Sequence, residues 1–347
     1  MAKPIASSGL QQLKQDIKAK TPKPCYIFWG EETYLMHYYC EQLQKKLIDP
    51  MTEAFNYHKF NQENFSMEAL VSSVENLPMM AERTMVQVEE LDFFKLPEGD
   101  KEKLAGLLSD LPDYCCLVFT FETVAYKPDK RQKKLWEAIE KNVQTVEFAR
   151  QSQKDLIAWV SRHFLSNKKS ISSDLCAYLI EITGGTMTAL SGEIDKISAF
   201  CPGDEITKSC IDAVTEPVLD AVVFQMTDAM GAGNFALALE KLQTLLKMQQ
   251  EPIVILGAVS SQLRRISAAR VLIDSGKGAE ELMKLTGLKD YPARKTMSMA
   301  GRFSANFCAK AAALCVETDY KLKTSFDDGK RLLELLVLQL AQEVRHG

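Results

Sequence analysis

A phosphate can be held by backbone N–H groups at a glycine turn between a strand and a helix. The chain offers one such place, Tyr26-Ile27-Phe28-Trp29-Gly30-Glu31-Glu32-Thr33-Tyr34-Leu35. A nucleotide cradle of this kind needs G-x-x-x-x-G-K-[ST], so that amides and a lysine ammonium neutralise the phosphates. Here the second glycine and the lysine are missing, and Glu31 and Glu32 put negative charge where phosphates would sit. The pairs Gly276-Lys277 and Gly329-Lys330 fail the same test, with Val271 and Thr324 at the position of the first glycine. Gly231-Ala232-Gly233-Asn234-Phe235-Ala236 matches G-x-G-x-x-A formally. It follows a helical segment, Ala221–Met230, rather than a strand, and therefore reads as a turn between helices. No nucleotide or other cofactor is expected.

Other catalytic constellations are equally absent from the sequence. There is no H-E-x-x-H, no G-x-S-x-G and no D-x-D placed after a strand. The nine cysteines are odd in number and form no C-x-x-C, and several, such as Cys115, Cys116, Cys176 and Cys315, sit in apolar runs. The four histidines, His37, His58, His163 and His346, lie near no paired cysteines. Buried thiols in a reducing compartment are expected, with neither a metal site nor a disulfide frame. Asn64-Phe65-Ser66 is a formal glycosylation sequon without a secretory context. No catalytic residue is expected.

Two non-catalytic stretches are more informative. In Asn76-Leu77-Pro78-Met79-Met80-Ala81-Glu82-Arg83-Thr84, Pro78 ends a helix and leaves Met79 and Met80 at a helix-to-strand corner. Two flexible, polarisable side chains there could anchor in a partner's apolar pocket or simply cap the sheet. The second stretch, Lys127 to Lys134, packs Lys127, Lys130, Arg131, Lys133 and Lys134 into eight residues before Trp136. It suits a nucleic-acid backbone or a solvated face equally well.

The elements that position these residues follow from the periodicity. Over 347 residues, 46% hydrophobic and 25% charged, the chain is long enough for two or three domains. A net charge of −4 argues against a surface given over wholly to nucleic acid while permitting a local basic patch. Strand-like runs at Cys25–Trp29, Phe55–Phe60, Thr84–Val88, Cys115–Phe121 and Val143–Phe148 alternate with helical spacing at Thr33–Leu47, Ser66–Glu75, Lys101–Leu108 and Lys130–Lys141. That alternation predicts an α/β layer with a mostly parallel sheet. After Phe148 everything reads as helix. A small module holds Asp155–Phe164, Ser173–Ile182, Thr188–Phe200 and Lys208–Val214, with Thr207 as a cap. A larger helical region follows from Pro217, including Phe235–Met248, Ile253–Leu272 and a final helix near Asp328–Val344. Ile253–Leu272 is apolar on most sides early and should be central. The last helix is apolar nearly all round and should be covered by neighbours or another chain. No run reaches the roughly 20 residues of a membrane span. Met1–Gln15, with Lys3, Pro4 and Lys14, carries no secretory signal. A cytoplasmic protein without membrane contact is expected.

In order and spacing, the segments Tyr26–Leu35, Leu77–Arg83, Asp129–Leu135, Gly192–Ile197, Phe224–Met230, Glu251–Leu256 with Gln262–Arg265, Asp319–Lys323 and Leu333–Leu336 are similar to one family. The chain resembles the delta subunits of the bacterial DNA polymerase III clamp loader over essentially its full length. The resemblance implies an AAA+-like fold: a RecA-like α/β domain (1–149), a small helical lid (150–215) and a helical collar (216–347). It implies a subunit that does not bind ATP, and Ser161-Arg162-His163 is not the Ser-Arg-Cys motif of some sister subunits. It also implies binding and opening of the sliding clamp (beta) through Pro78, Met79 and Met80. The other expected partners are sister subunits in a hetero-pentamer and primer–template DNA. Lys127, Lys130, Arg131, Lys133 and Lys134 are candidates for the DNA backbone, and Phe326, near Lys321 and Lys323, for the DNA junction. The polymerase activity of such an assembly would reside in other chains. The alternative is another non-catalytic subunit or a scaffold without clamp contact.

Overall fold

A computed structural model of the chain describes residues 6–346, which leaves Lys3 and Pro4 of the expected signal-free N-terminus outside the described residues. The chain divides into two compact units between Ser152 and Gln153.

The first unit contains α1 (Ala6–Ala19), β1 (Cys25–Trp29), α2 (Thr33–Leu47), α3 (Glu53–Asn56), β2 (Tyr57–Phe60) and α4 (Met67–Glu75). It continues with β3 (Thr84–Glu89), α5 (Glu98–Ser109), β4 (Cys115–Phe121), α6 (Lys133–Asn142) and β5 (Gln144–Glu147). The five strands form one sheet in the order β2-β3-β4-β1-β5, and every pairing is parallel. Alternate side chains along each strand feed two separate cores. Cys25, Ile27, Val86, Val88, Leu117 and Phe119 face one layer with Leu70, Leu104 and Ile139. Tyr26, Phe28, Met85, Cys116, Val118 and Val146 face the other with Leu13, Met36 and Leu43. Both faces are covered, which is why β4 is apolar without interruption and buried throughout.

Three local differences from the sequence expectation have physical causes. Helix α1 has no counterpart in the expectation; Leu10, Leu13 and Ile17 share one face on the sheet, and a Cβ at Gly9 would come within 2.6 Å of the Thr145 carbonyl oxygen. Phe55 and Asn56 do not begin β2, because their amides bond to the Thr52 carbonyl and close a helical turn. Helix α6 begins at Lys133 rather than Lys130, since the Asp129 carboxylate accepts from the Arg131 amide and bends 129–132 into a turn.

The second unit is helical: α7 (Gln153–Ser166), α8 (Ser173–Ile182), α9 (Met187–Phe200), α10 (Lys208–Val214), α11 (Leu219–Gly231) and α12 (Phe235–Lys247). After these come α13 (Pro252–Asp274), α14 (Ala279–Thr286), α15 (Asp290–Ala300), α16 (Ala305–Thr324) and α17 (Gly329–His346). Side chains of Ser172, Thr186, Thr207, Asn234 and Ser304 accept from amides in the first turns of their helices. Each such cap contributes about 0.5–2 kcal/mol. Helices α11 to α17 share one core built on Met226, Leu242, Leu256, Val259, Ile266, Phe307, Leu333 and Leu336. The start of α13 is less central than its composition suggests, with Ile253 and Val254 exposed. Helix α17 buries Leu332, Leu333, Leu336, Val337 and Leu340 but exposes Leu335 and Leu338.

Gly30 controls how β1 turns into α2. Its φ is +133°, and a Cβ there would meet the Phe148 carbonyl oxygen at 2.4 Å. Gly30→Ala is expected to destabilise the protein by about 2–4 kcal/mol in denaturant unfolding. Gly99→Ala, at a position with nothing within 4 Å, serves as the control and should be neutral or stabilising.

Candidate functional site

In a parallel sheet all strands end on one edge, and open α/β folds bind ligands there. In this chain that edge is closed and acidic. The amide of Glu32, which a phosphate-binding turn would offer to its ligand, donates to the Phe148 carbonyl at 2.9 Å, and the Phe148 amide donates to the Trp29 carbonyl at 2.7 Å. Glu31 and Glu32 follow β1, Glu89 ends β3 with Glu90 after it, Glu122 follows β4 and Glu147 ends β5. Lys59 pairs with Glu89 at 2.7 Å, and His37 pairs with Glu122. A second cradle of amides, on Glu122, Thr123 and Val124, is filled by the protein's own Glu90 carboxylate. Such a nest of N–H groups otherwise suits an anionic ligand.

The opposite, amino-terminal approach to β3 presents the methionine corner. Leu77 is 74% exposed, Met79 55% and Met80 94%, while Pro78 is half-buried. The corner is held from beneath by Asn56, whose side chain is wholly buried. Asn56 Nδ2 donates to the Met79 carbonyl at 2.9 Å and to the Thr52 carbonyl at 3.1 Å, and the Met79 amide donates to Asn56 Oδ1 at 2.8 Å. The amide thus pairs with Met79 as a neighbouring strand would. Beyond this pair, Met80 takes a left-handed φ of 52°, a conformation an L-residue adopts at a cost of about 1–2 kcal/mol. On the far side, Tyr114 Oη donates to the Glu75 carbonyl at 2.7 Å and the Arg83 guanidinium to the Asp113 carbonyl at 3.0 Å. Phe55, next to Asn56, and Met51 are also exposed. Asn56, Met51 and Phe55 carry no motif, and Phe55 and Asn56 read in the sequence as the start of a strand.

The basic stretch is exposed but partly spoken for. Arg131 makes a two-pronged contact with Asp129 at 2.9 and 3.0 Å, and this guanidinium holds the Asp129 carboxyl well below the usual carboxylate range. Lys134 pairs with Glu102 at 3.0 Å, and Lys130 sits 5.4 Å from the Trp136 ring centre. Lys127 and Lys133 are exposed, and neither belongs to an ion pair among the described residues. Phe326, in the loop before α17, is wholly exposed, while Lys321 and Lys323 are tied to Glu317 and Asp319 along α16. Between α13 and α16 lies a groove of about 550 Å³ lined by Ile253, Leu256, Leu263, Arg264, Val316 and Asp319. Phe326 lies in the second unit and the stretch at 127–134 in the first.

These features have relatives. Family models described as "DNA polymerase III, delta subunit" and "DNA polymerase III delta subunit, C-terminal domain" match residues 26–149 and 220–340. The chain belongs to the DNA polymerase III delta subunit family. It is 26% identical over 333 residues to DNA polymerase III subunit delta of Bacillus subtilis (strain 168), covering 94% of this chain and 95% of the relative. A probable DNA polymerase III subunit delta of Aquifex aeolicus (strain VF5) is 22% identical over 289 residues, 80% of each chain. Among solved structures, the Bacillus subtilis DNA clamp loader delta protein superposes with a TM-score of 0.65 at 24% identity, over 96% of this chain and 99% of that one. The expected AAA+-like fold is therefore the observed one, and membership of this family carries a clamp-loader role in DNA replication. No described helix is long and apolar enough to cross a membrane.

Burial alone would raise the Glu90 carboxyl, yet the Thr123 hydroxyl and the amides of Glu122, Val124 and Thr123 hold it below its ordinary value. A depressed carboxyl stabilises the fold above its unfolded pKa and loses that contribution as pH falls through the folded one. The stability gap between the natural chain and Glu90→Gln should therefore be full near neutrality and shrink below about pH 4.5, the ordinary glutamate value. Urea unfolding of both proteins across that range measures it.

Proposed function

We propose that the chain is the clamp-loader subunit that grips the sliding clamp (beta) without using nucleotide of its own. The observation that carries this reading is the methionine corner, two exposed apolar side chains on a backbone fixed by a buried asparagine. A preformed apolar tip loses little entropy on docking, which favours affinity. Opening the clamp further requires that the tip bind the open ring better than the closed one, since equal affinity shifts no equilibrium. The closed acidic sheet edge supports the second half of the proposal: two amide cradles already have internal acceptors, and the surrounding carboxylates repel a polyphosphate.

The remaining assignments belong to the same proposal. Helices α7 to α10 act as the lid and α11 to α17 as the collar, divided at 215/216. The exposed Leu335, Leu338, Ile253 and Val254 give the collar apolar surface for sister subunits in a hetero-pentamer. Lys127 and Lys133 are the charges most available to primer–template backbone, with Lys130, Arg131 and Lys134 held by internal partners that DNA would have to displace. Phe326 is offered to the DNA junction.

Surface-immobilised clamp, with no ATP and no sister subunits, tests the central claim. Burial of each methionine would contribute about 1.5–3 kcal/mol, so Met79→Ala with Met80→Ala should weaken clamp binding by about a hundredfold or more. Asn56→Ala should weaken it as well, while costing about 1–3 kcal/mol of stability by leaving the Met79 backbone groups without their partner. Unchanged clamp affinity in the double variant, with assembly intact, would leave the scaffold reading in its place. For DNA, charge removal at Lys127 and Lys133 should lower the salt dependence of binding by the whole loader by about one unit of slope per lost phosphate contact.

A further inference from the structure

The four residues of α3, Glu53–Asn56, are sorted the wrong way round for stability alone. The polar Asn56 is wholly buried, while the ring of Phe55 beside it is 57% exposed. Met51, two residues before the helix, is 91% exposed. A buried polar group next to an exposed large apolar one is the informative departure from ordinary sorting, and such departures gather at functional surfaces. The segment is nonetheless held firmly. The Met51 amide donates to the Asp49 carboxylate, the Thr52 amide to the Asp49 carbonyl and Gln44 Nε2 to the Glu53 carboxylate, each at 2.9 Å. One nitrogen, Asn56 Nδ2, donates both to the carbonyl of Thr52, next to Met51, and to the carbonyl of Met79, next to Met80. A single buried amide therefore fixes the backbone on which both apolar groups stand.

We infer that Met51 and Phe55 form a second apolar contact for the sliding clamp, covered together with Met79 and Met80 when the clamp docks. The inference rests on the reading of the methionine corner as the clamp-gripping site. Area supports it. At the usual burial coefficient a fully buried methionine removes about 60–120 Å² of apolar surface from water. Each partner in a stable complex of standard size buries about 800 Å². A partner that seats Met79 and Met80 must therefore cover the ground around them, and the apolar ground fixed to the same amide is Met51 and Phe55. With Leu77, five large apolar side chains stand exposed on these two segments, whereas ordinary surface scatters them singly. The phenyl ring also adds what methionine lacks, a broad rigid face with only two side-chain torsions to fix, which suits an anchor. A clamp held at two places cannot pivot about the tip, so the second contact sets the angle at which the corner meets the ring.

The test measures binding of the full chain to surface-immobilised clamp with Met51→Ser and Phe55→Ser combined. Both side chains are exposed, so the urea midpoint should hold, while clamp affinity should fall about tenfold or more, mainly through faster dissociation. Phe55→Leu alone should lose less than Phe55→Ser, and Leu165→Ser, at an exposed leucine of α7, should bind as the natural chain does. A benzophenone amino acid placed at position 55, in a chain otherwise natural, gives a readout that does not depend on the serine variants folding. On irradiation in the assembled loader with clamp present, it should cross-link to the clamp. If the 51/55 variant keeps full affinity while Met79→Ala with Met80→Ala loses it, the second contact is overturned and the corner reading stands; loss in neither variant removes both. Cross-linking of position 55 to a sister subunit or a second copy of this chain, and not to the clamp, would also overturn the inference.

Discussion

The absence of a side chain at Gly30 lets the β1–α2 turn close directly onto the backbone of Phe148, and much of the first unit's character depends on that approach. With the Phe148 carbonyl taking the Glu32 amide, the turn that could have cradled a phosphate becomes part of the sheet's own hydrogen bonding. Any Cβ at position 30 would meet backbone, which cannot move aside as a flexible side chain could. The second cradle, after β4, is filled by Glu90, so amides at both places take acceptors from within the protein. Six glutamates at the ends of strands or just beyond them then make the edge predominantly acidic, with Lys59 paired to Glu89. An AAA+-like layer built this way keeps a glycine turn after β1 while engaging the Glu32 amide of that turn within the sheet's own hydrogen bonding.

What the layer positions instead lies at its other end. A methionine pair on a flexible loop would cost entropy to order on binding; here the Asn56 amide supplies the hydrogen bonds that a neighbouring strand would have made to Met79. Burying that amide is tolerable because the Met79 and Thr52 groups satisfy it, whereas an unpaired buried amide would be strongly unfavourable. The left-handed backbone at Met80 follows directly after this fixed point and turns the side chain out of the fold. Exposure of Leu77, Met79, Met80, Phe55 and Met51 concentrates large apolar side chains on segments joined by one buried polar group.

The second unit uses a different economy. Its core from α11 to α17 is continuous, and the apolar residues left over are found along α13, α16 and α17, where Ile253, Val254, Val316, Leu335 and Leu338 remain exposed. A helix apolar on nearly every side has more surface than one monomer's bundle can cover. Charge is distributed more conservatively: Lys321, Lys323 and Arg270 are each paired one turn away on their own helix, which lowers the positive field that composition alone suggests.

Periodicity and local chemistry determined a good deal here. Alternating apolar runs specified the five strands and their parallel class, because a strand buried on both faces must be apolar at every position, and β4 is. A threonine cap marked the helix start at Thr207 for the same local reason. The broken phosphate motif at Gly30 and the proline-ended corner at Met79 and Met80 were also legible, since each depends on residue types a few positions apart. Tertiary structure alone decided the strand order, the helical turn that claims Phe55 and Asn56, and the packing of α1 on β5. It alone paired Arg131 with Asp129 and Lys134 with Glu102, drawing charge away from a stretch that reads as uniformly basic. It also joined Asn56 to Met79 across 23 positions of sequence. Sequence patterns encode which face of an element is buried; which distant polar group meets which is set only when those faces have packed.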